Sequence, residues 1–148
     1  MVSIERLIDE HGRITTLGNA VMRGAGTDPA ATLRAMIVRL DVQLADHLAT
    51  EDLELYPHLL AAGDMSQREA AEIAMADFDS LAGQWRTYVA DWTEAEIDAD
   101  RDLFVEASKR VLSALAARVR IENEILYPLA LRCGTIALRE ANVRVSAN

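Results

Sequence analysis

A single cysteine, Cys133, and three histidines are all the sequence holds of the side chains that most often carry nucleophilic or thiolate-metal chemistry. One cysteine excludes an internal disulfide and a cysteine-rich zinc site. With so few parts, no Ser-His-Asp or Cys-His arrangement can be assembled, and the chain is not expected to be an enzyme. Long apolar runs are also missing: nothing approaches the roughly 18 uninterrupted apolar residues of a membrane-spanning helix. The start, Met1-Val2-Ser3-Ile4-Glu5-Arg6, has neither the basic segment nor the apolar core of a secretory leader. A cytoplasmic protein without membrane contact is the expectation, and a reducing compartment suits the lone thiol. Basic charge is scarce, with 15 Lys and Arg against 24 Asp and Glu for a formal charge of -9. The arginines are interspersed with acids, so the basic footprint that phosphate binding needs is absent and no nucleic-acid partner is expected.

What is present is ordinary globular material: 148 residues, 51% apolar and 26% charged, enough for one domain with its own core. Three punctuation zones, 24–29, 61–66 and 92–98, separate four long segments of helical periodicity. No run alternates with period two, so the chain reads as all-α. Helix 1 covers about 3 to 23, with Ile4, Leu7, Ile14, Leu17 and Val21 inward. Helix 2 runs from about Ala30 to Leu60, entered through a capping Asp28 and Pro29. Helix 3 starts at the Ser66-x-x-Glu69 capping box and turns Ala71, Ala74, Phe78, Leu81, Trp85, Tyr88 and Trp92 inward. Helix 4 begins between Asp98 and Asp102 and ends near Arg132, its inward series being Phe104, Ala107, Val111, Leu115, Arg118, Glu122 and Ile125. Short connections between long helices imply an up-down-up-down antiparallel four-helix bundle over residues 1–134. Residues 135–148 are then a tail or a short docked helix. Trp85, Tyr88 and Trp92 read as packing residues, and any exposed part of their face would suit a homodimer.

Five ionisable residues interrupt these apolar stripes: His11, His47, Glu51, Arg118 and Glu122. Charge at a core position is costly unless it is paired or bound to metal. His47 and Glu51 lie four residues apart, as do Arg118 and Glu122, which puts each pair on one helix face. In an antiparallel bundle helices 2 and 4 run in the same direction, so the two pairs can meet at one height. An internal match supports this: Leu44-Ala45-x-His47-x3-Glu51-x3-Leu55-Tyr56-Pro57 aligns with Leu115-Ala116-x-Arg118-x3-Glu122-x3-Leu126-Tyr127-Pro128. Proline late in a helical pattern removes a hydrogen bond, so both Leu-Tyr-Pro segments predict a kinked helix end over a shared pocket.

These residues resemble the hemerythrin-like (HHE) family, whose mark is His-x3-Glu followed by Leu-Tyr-Pro on helices 2 and 4, with a Glu-His pair on helices 1 and 3. The resemblance spans about residues 4 to 130, with Glu10-His11 on helix 1 and the complete motif from His47 to Pro57 on helix 2. It implies a non-haem di-iron centre with bridging carboxylates, and binding of oxygen or nitric oxide or sensing of iron and redox state. The chain departs from the family on the other two helices. Phe78 and Ala74 stand where helix 3 should supply ligands, although a register shifted by one would offer Asp77 instead. Arg118, which has no lone pair for a metal, stands for the helix 4 histidine. An intact di-iron centre is therefore not expected. The candidate metal ligands are His11, His47, Glu51 and Glu122.

Two readings remain open. Two imidazoles and two carboxylates suit one iron or another divalent ion. Arg118 beside that ion would be repelled by about 4 kcal/mol per unit charge at ~4 Å unless the carboxylates screen it. Alternatively Arg118 replaces the metal, forking onto Glu51 and Glu122, and the chain is a metal-free structural or regulatory bundle that works through a protein partner. Tyr56 and Tyr127 could hydrogen-bond to the carboxylates. His58, Glu54 and Glu124 read as surface residues, and Cys133 as an inert thiol.

Overall fold

The computed structural model describes residues 2–61, 64–134 and 136–139. In chain order the elements are α1 (Ile4–Gly24), α2 (Ala30–Glu54), α3 (Tyr56–Ala61), α4 (Met65–Asp91), α5 (Glu94–Ala99), α6 (Arg101–Ile121), a π-helical turn (Glu122–Leu126) and α7 (Tyr127–Arg132). The four long helices α1, α2, α4 and α6 form the expected all-α bundle, and no strand occurs among the described residues. Contacts at the helix ends set the directions. The Val2 N–H donates to Glu54 at 2.9 Å, so the start of α1 meets the end of α2. Arg101, at the start of α6, donates to the carbonyls of Ala25 (3.3 Å) and Asp28 (2.6 Å) beyond the end of α1. Arg34, early in α2, donates to the carbonyls of Val89 (2.6 Å) and Trp92 (2.9 Å) at the end of α4. Neighbours in the ring therefore run antiparallel, and α2 and α6 share a direction.

Several boundaries differ from the periodicity reading, each for a local reason. Pro29 rather than Asp28 occupies the N-cap of α2 and gives no side-chain hydrogen bond, because the Asp28 side chain folds back against Gly24. Gly24 leaves the room for that fold, since a Cβ there would collide with the Asp28 carboxylate. Helix α4 starts one residue before Ser66, capped by Asp64, whose carboxylate accepts from the Ser66 N–H at 2.8 Å. The acidic stretch between the third and fourth long helices is itself a short helix, α5, capped by Thr93. Residues 136–139 form no helix. They lie alongside the start of α1, where the Ala137 and Leu138 carbonyls accept from Ile4 (2.9 Å) and Glu5 (3.0 Å), two of the amides that a helix leaves unpaired in its first turn. Position 135 and residues 140–148 of the anticipated tail lie outside the described residues.

Both Leu-Tyr-Pro segments disturb their helices, but differently. Helix 2 does not continue to Leu60: it breaks at Leu55 and restarts as α3. Helix 4 stays continuous by widening into the π-turn before Pro128, which lacks the N–H that an α-helix would use there. The wide turn advances the inward face by one residue, so Leu126 is buried at 1% exposure while Ile125, expected inward, is 53% exposed. Two apolar clusters result. One contains Leu33, Ile37, Leu40, Tyr88 and Phe104, the other Leu7, Leu55, Leu59, Leu126 and Tyr127. Between them along α1, α2 and the helix formed by α6 and its π-turn lie the polar residues described next. If the π-turn sets the register of helix 4, Leu126→Ala costs about 2–5 kcal/mol in denaturant unfolding, whereas Ile125→Ala stays within about 0.5 kcal/mol.

Candidate metal centre

His11 on α1, His47 and Glu51 on α2, Arg118 on α6 and Glu122 at the first position of the π-turn are all buried, with exposures between 0 and 8%. Each sits one helical turn from apolar neighbours, so the packing of the two clusters drives all five into one layer of the bundle. One donor atom from each of His11, His47, Glu51 and Glu122 lies within 4.8 Å of the others. His47 Nε2 is 3.0 Å from Glu51 Oε1, and His11 Nε2 is 3.4 Å from Glu122 Oε1. Two ligands about 2.1 Å from a common ion are about 3.0 Å apart at a right angle and about 3.4 Å apart at a tetrahedral one, which matches both spacings.

The outer ring nitrogens are held from behind. His11 Nδ1 lies 2.7 Å from Asn123 Oδ1, and His47 Nδ1 lies 3.3 Å from Glu10 Oε1. The Glu10 carboxylate accepts, which places the His47 ring proton on Nδ1 and leaves its Nε2 lone pair facing the cluster, while His11 Nε2 lies 3.1 Å from the Tyr127 hydroxyl. His47 Nε2 is buried and has no hydrogen-bond partner, because Glu51 Oε1, though close, lies off the hydrogen-bond direction. A buried nitrogen of this kind is costly unless something accepts its lone pair. The donor set and this orphaned nitrogen fit a divalent ion.

The same two Oε1 atoms also meet a permanent cation. Arg118 Nε donates to Glu122 Oε1 at 3.1 Å, and Arg118 Nη2 donates to Glu51 Oε1 at 3.3 Å. The guanidinium carbon stands 4.0 Å from the centroid of the Phe78 ring, a cation–π contact. Phe78 is thus the register partner on helix 3, as the pattern predicts, and Ala74 is buried one turn before it. The two departures from the ligand pattern that matter most, Phe78 and Arg118, touch each other: the aromatic ring provides the floor on which the guanidinium lies. The remaining oxygens take the tyrosines. Tyr127 donates to Glu51 Oε2 and Tyr56 to Glu122 Oε2, both at 2.9 Å.

Electrostatics follow from burial. Burial, then the neighbouring Glu122, push the Glu51 carboxyl well above the usual range. Burial pushes Glu122 the same way, but Glu51, His11 and the Arg118 charge outweigh it and hold Glu122 low. Arg118 stays charged because the two carboxylates overcome its own desolvation. Burial raises Tyr56 and Tyr127 far beyond neutrality, so both remain hydrogen-bond donors. His47 is lowered, mainly by burial, and is neutral at pH 7.

Asn123 carries no signal that singled it out, and Glu10, read as the motif neighbour of His11, supports His47 instead. Asn123 reaches His11 from a π-turn that periodicity does not register. His58 and Glu124 are exposed and stand apart from the cluster, while Glu54 is tied to the Val2 amide. Cys133 is half-buried and donates to Gln67 at 3.0 Å.

Two outcomes test this electrostatic account. Arg118→Ala strands two buried carboxylates and lowers the unfolding free energy at neutral pH by about 3–5 kcal/mol. A histidine with a depressed folded pKa contributes stability that is full above about pH 6.5 and lost as pH falls, because the unfolded chain takes the proton first. Denaturation midpoints of wild type and His47→Gln should therefore converge as the pH falls from about 7 to about 5.5.

Neither curated proteins nor solved structures gave a match to the chain. The profile of one family, described as the hemerythrin HHE cation binding domain, matches residues 2–130. That span covers most of the chain and all four helices of the bundle, and this protein belongs to the hemerythrin HHE cation-binding domain family.

Proposed function

We propose that the chain binds a single divalent transition-metal ion through His11, His47, Glu51 and Glu122, and that it serves in binding or sensing and not in turnover. The observation that carries this reading is His47 Nε2, a buried nitrogen whose lone pair has no partner in a cluster of four ligand-type side chains. Glu10 and Asn123 behind the imidazoles, and Tyr56 and Tyr127 behind the carboxylates, hold those side chains ready and so lower the ordering cost of binding. The Arg118 guanidinium, resting on Phe78, supplies a fixed positive charge to the same Oε1 atoms that face the imidazoles. An imidazole–carboxylate set suits iron, zinc or manganese, and an ion with open positions would supply Lewis acidity or, for iron, a redox centre for small ligands.

A second reading is favoured by a different observation: each carboxylate oxygen already has a partner, Oε1 with Arg118 and Oε2 with a tyrosine. A metal-free bundle that acts through a protein partner would need nothing more than this network. The two readings separate by metal analysis of protein purified without chelator or affinity metal, followed by anaerobic Fe(II) titration. The metal reading expects close to one ion per chain, and about 2.7 kcal/mol of added stability at a hundredfold excess over Kd. Uptake should be abolished in His47→Ala. Less than about a tenth of an equivalent of any transition metal after iron loading sinks the metal reading and leaves the network one.

A further inference from the structure

The gap between α2 and α4 holds a feature that metal binding does not use. These are the most sparsely packed neighbours among the long helices, and a cavity of about 350 Å³ opens between them. Small side chains keep it open: Ala45 on α2 and Ala82 on α4. Its walls are apolar, formed by the buried Leu44, Leu81, Trp85 and Leu115. Asp41 and Arg86 stand at the rim, where Asp41 accepts from the Trp85 indole N–H at 2.9 Å and fixes that ring as a wall. The one charged side chain that is buried in the lining is Arg118. Its Nε and Nη2 are committed to Glu122 and Glu51, but Nη1 has no acceptor among the described residues.

An apolar chamber with one unspent guanidinium donor selects a particular kind of molecule. We propose that this cavity binds a small monocarboxylate carrying an apolar chain or ring, with its carboxylate on Arg118 Nη1 and its tail against Leu44, Leu81, Trp85 and Leu115. The guanidinium pairs with carboxylate in preference to a neutral oxygen, and the apolar walls reward a hydrocarbon tail. Charge adds a linkage that rests on the metal-binding reading above. A dication and one guanidinium against two carboxylates leave the cluster one positive charge in excess, which a single bound carboxylate neutralises. Metal and carboxylate should then strengthen each other's binding by the same factor.

The test uses the full chain, assayed for metal content, with sodium hexanoate as the probe and hexanol as its neutral counterpart. Binding is followed by calorimetry and by the change in tryptophan emission, to which Trp85 and Trp92 both contribute. Hexanoate is expected to bind once per chain, at least about tenfold more tightly than hexanol. Ala82→Leu, and independently Ala45→Leu at the more exposed rim, should weaken hexanoate by at least about tenfold while metal content and melting midpoint hold. Absence of hexanoate binding, equal binding of hexanol, or binding indifferent to both leucine variants overturns the proposal. A protein that takes up metal but not hexanoate refutes the cavity alone. One that binds hexanoate in this leucine-sensitive way without metal refutes only the metal reading and keeps the cavity.

Discussion

Two carboxylates, Glu51 and Glu122, meet in the middle of an apolar bundle at 0 and 1% exposure, and the rest of the structure answers the cost of putting them there. An isolated buried carboxylate would take up a proton or unfold its surroundings, so positive charge and hydrogen-bond donors must reach all four oxygens. The chain brings them from every side. Arg118 comes from one turn earlier on the same helix as Glu122, and Tyr56 and Tyr127 come from the two proline-disturbed helix ends. The histidines approach from α1 and α2. Removing Arg118, Tyr56 or Tyr127 leaves a buried carboxylate oxygen short of a donor, which couples these positions more tightly than their separation in sequence suggests.

The duplicated Leu-Tyr-Pro segment shows how backbone irregularity serves that purpose. A regular helix through Pro57 or Pro128 would waste a carbonyl and clash with the proline ring. The break at Leu55 and the wide turn at Glu122–Leu126 each absorb the defect, and each delivers a tyrosine hydroxyl across the bundle to the carboxylate on the other motif. Tyr56 reaches Glu122 and Tyr127 reaches Glu51, so the two motifs are cross-laced. The same wide turn swings Asn123 behind His11. Irregularity at this point of the helix is therefore part of how the polar layer is held.

Different helices supply different chemistry around the pair of carboxylates. α1 and α2 bring imidazole nitrogens, one of them without a hydrogen-bond partner. On the side of α4 and α6, an aromatic ring and a guanidinium fill the space. Phe78 and Arg118 make sense only together: a phenyl ring alone would remove a ligand and leave the carboxylates short of charge, while an arginine alone would lack a surface to lie on. A permanent organic cation needs no loading and no deprotonation, so that half of the layer is neutralised as soon as the chain folds.

Much of this was readable in the residues. The helical period and the punctuation zones determine four long helices. The polar interruptions at His11, His47, Glu51, Arg118 and Glu122 determine which positions must share a layer, because hydrophobic register allows no other direction for them to point. The Leu-Tyr-Pro pairs announced kinked helix ends, but not whether each would break or widen, since one missing amide permits either solution and only the packing of α3 and α7 selects one. The same limit hid the exposure of Ile125, the role of Asn123 and the partner of Glu10. A side chain's direction after an irregular turn, and the identity of the atom behind an imidazole, depend on contacts between helices far apart in sequence. Periodicity within one helix carries no record of those contacts, so the residues to be buried were a property of the sequence, and what each would touch was decided by the tertiary structure.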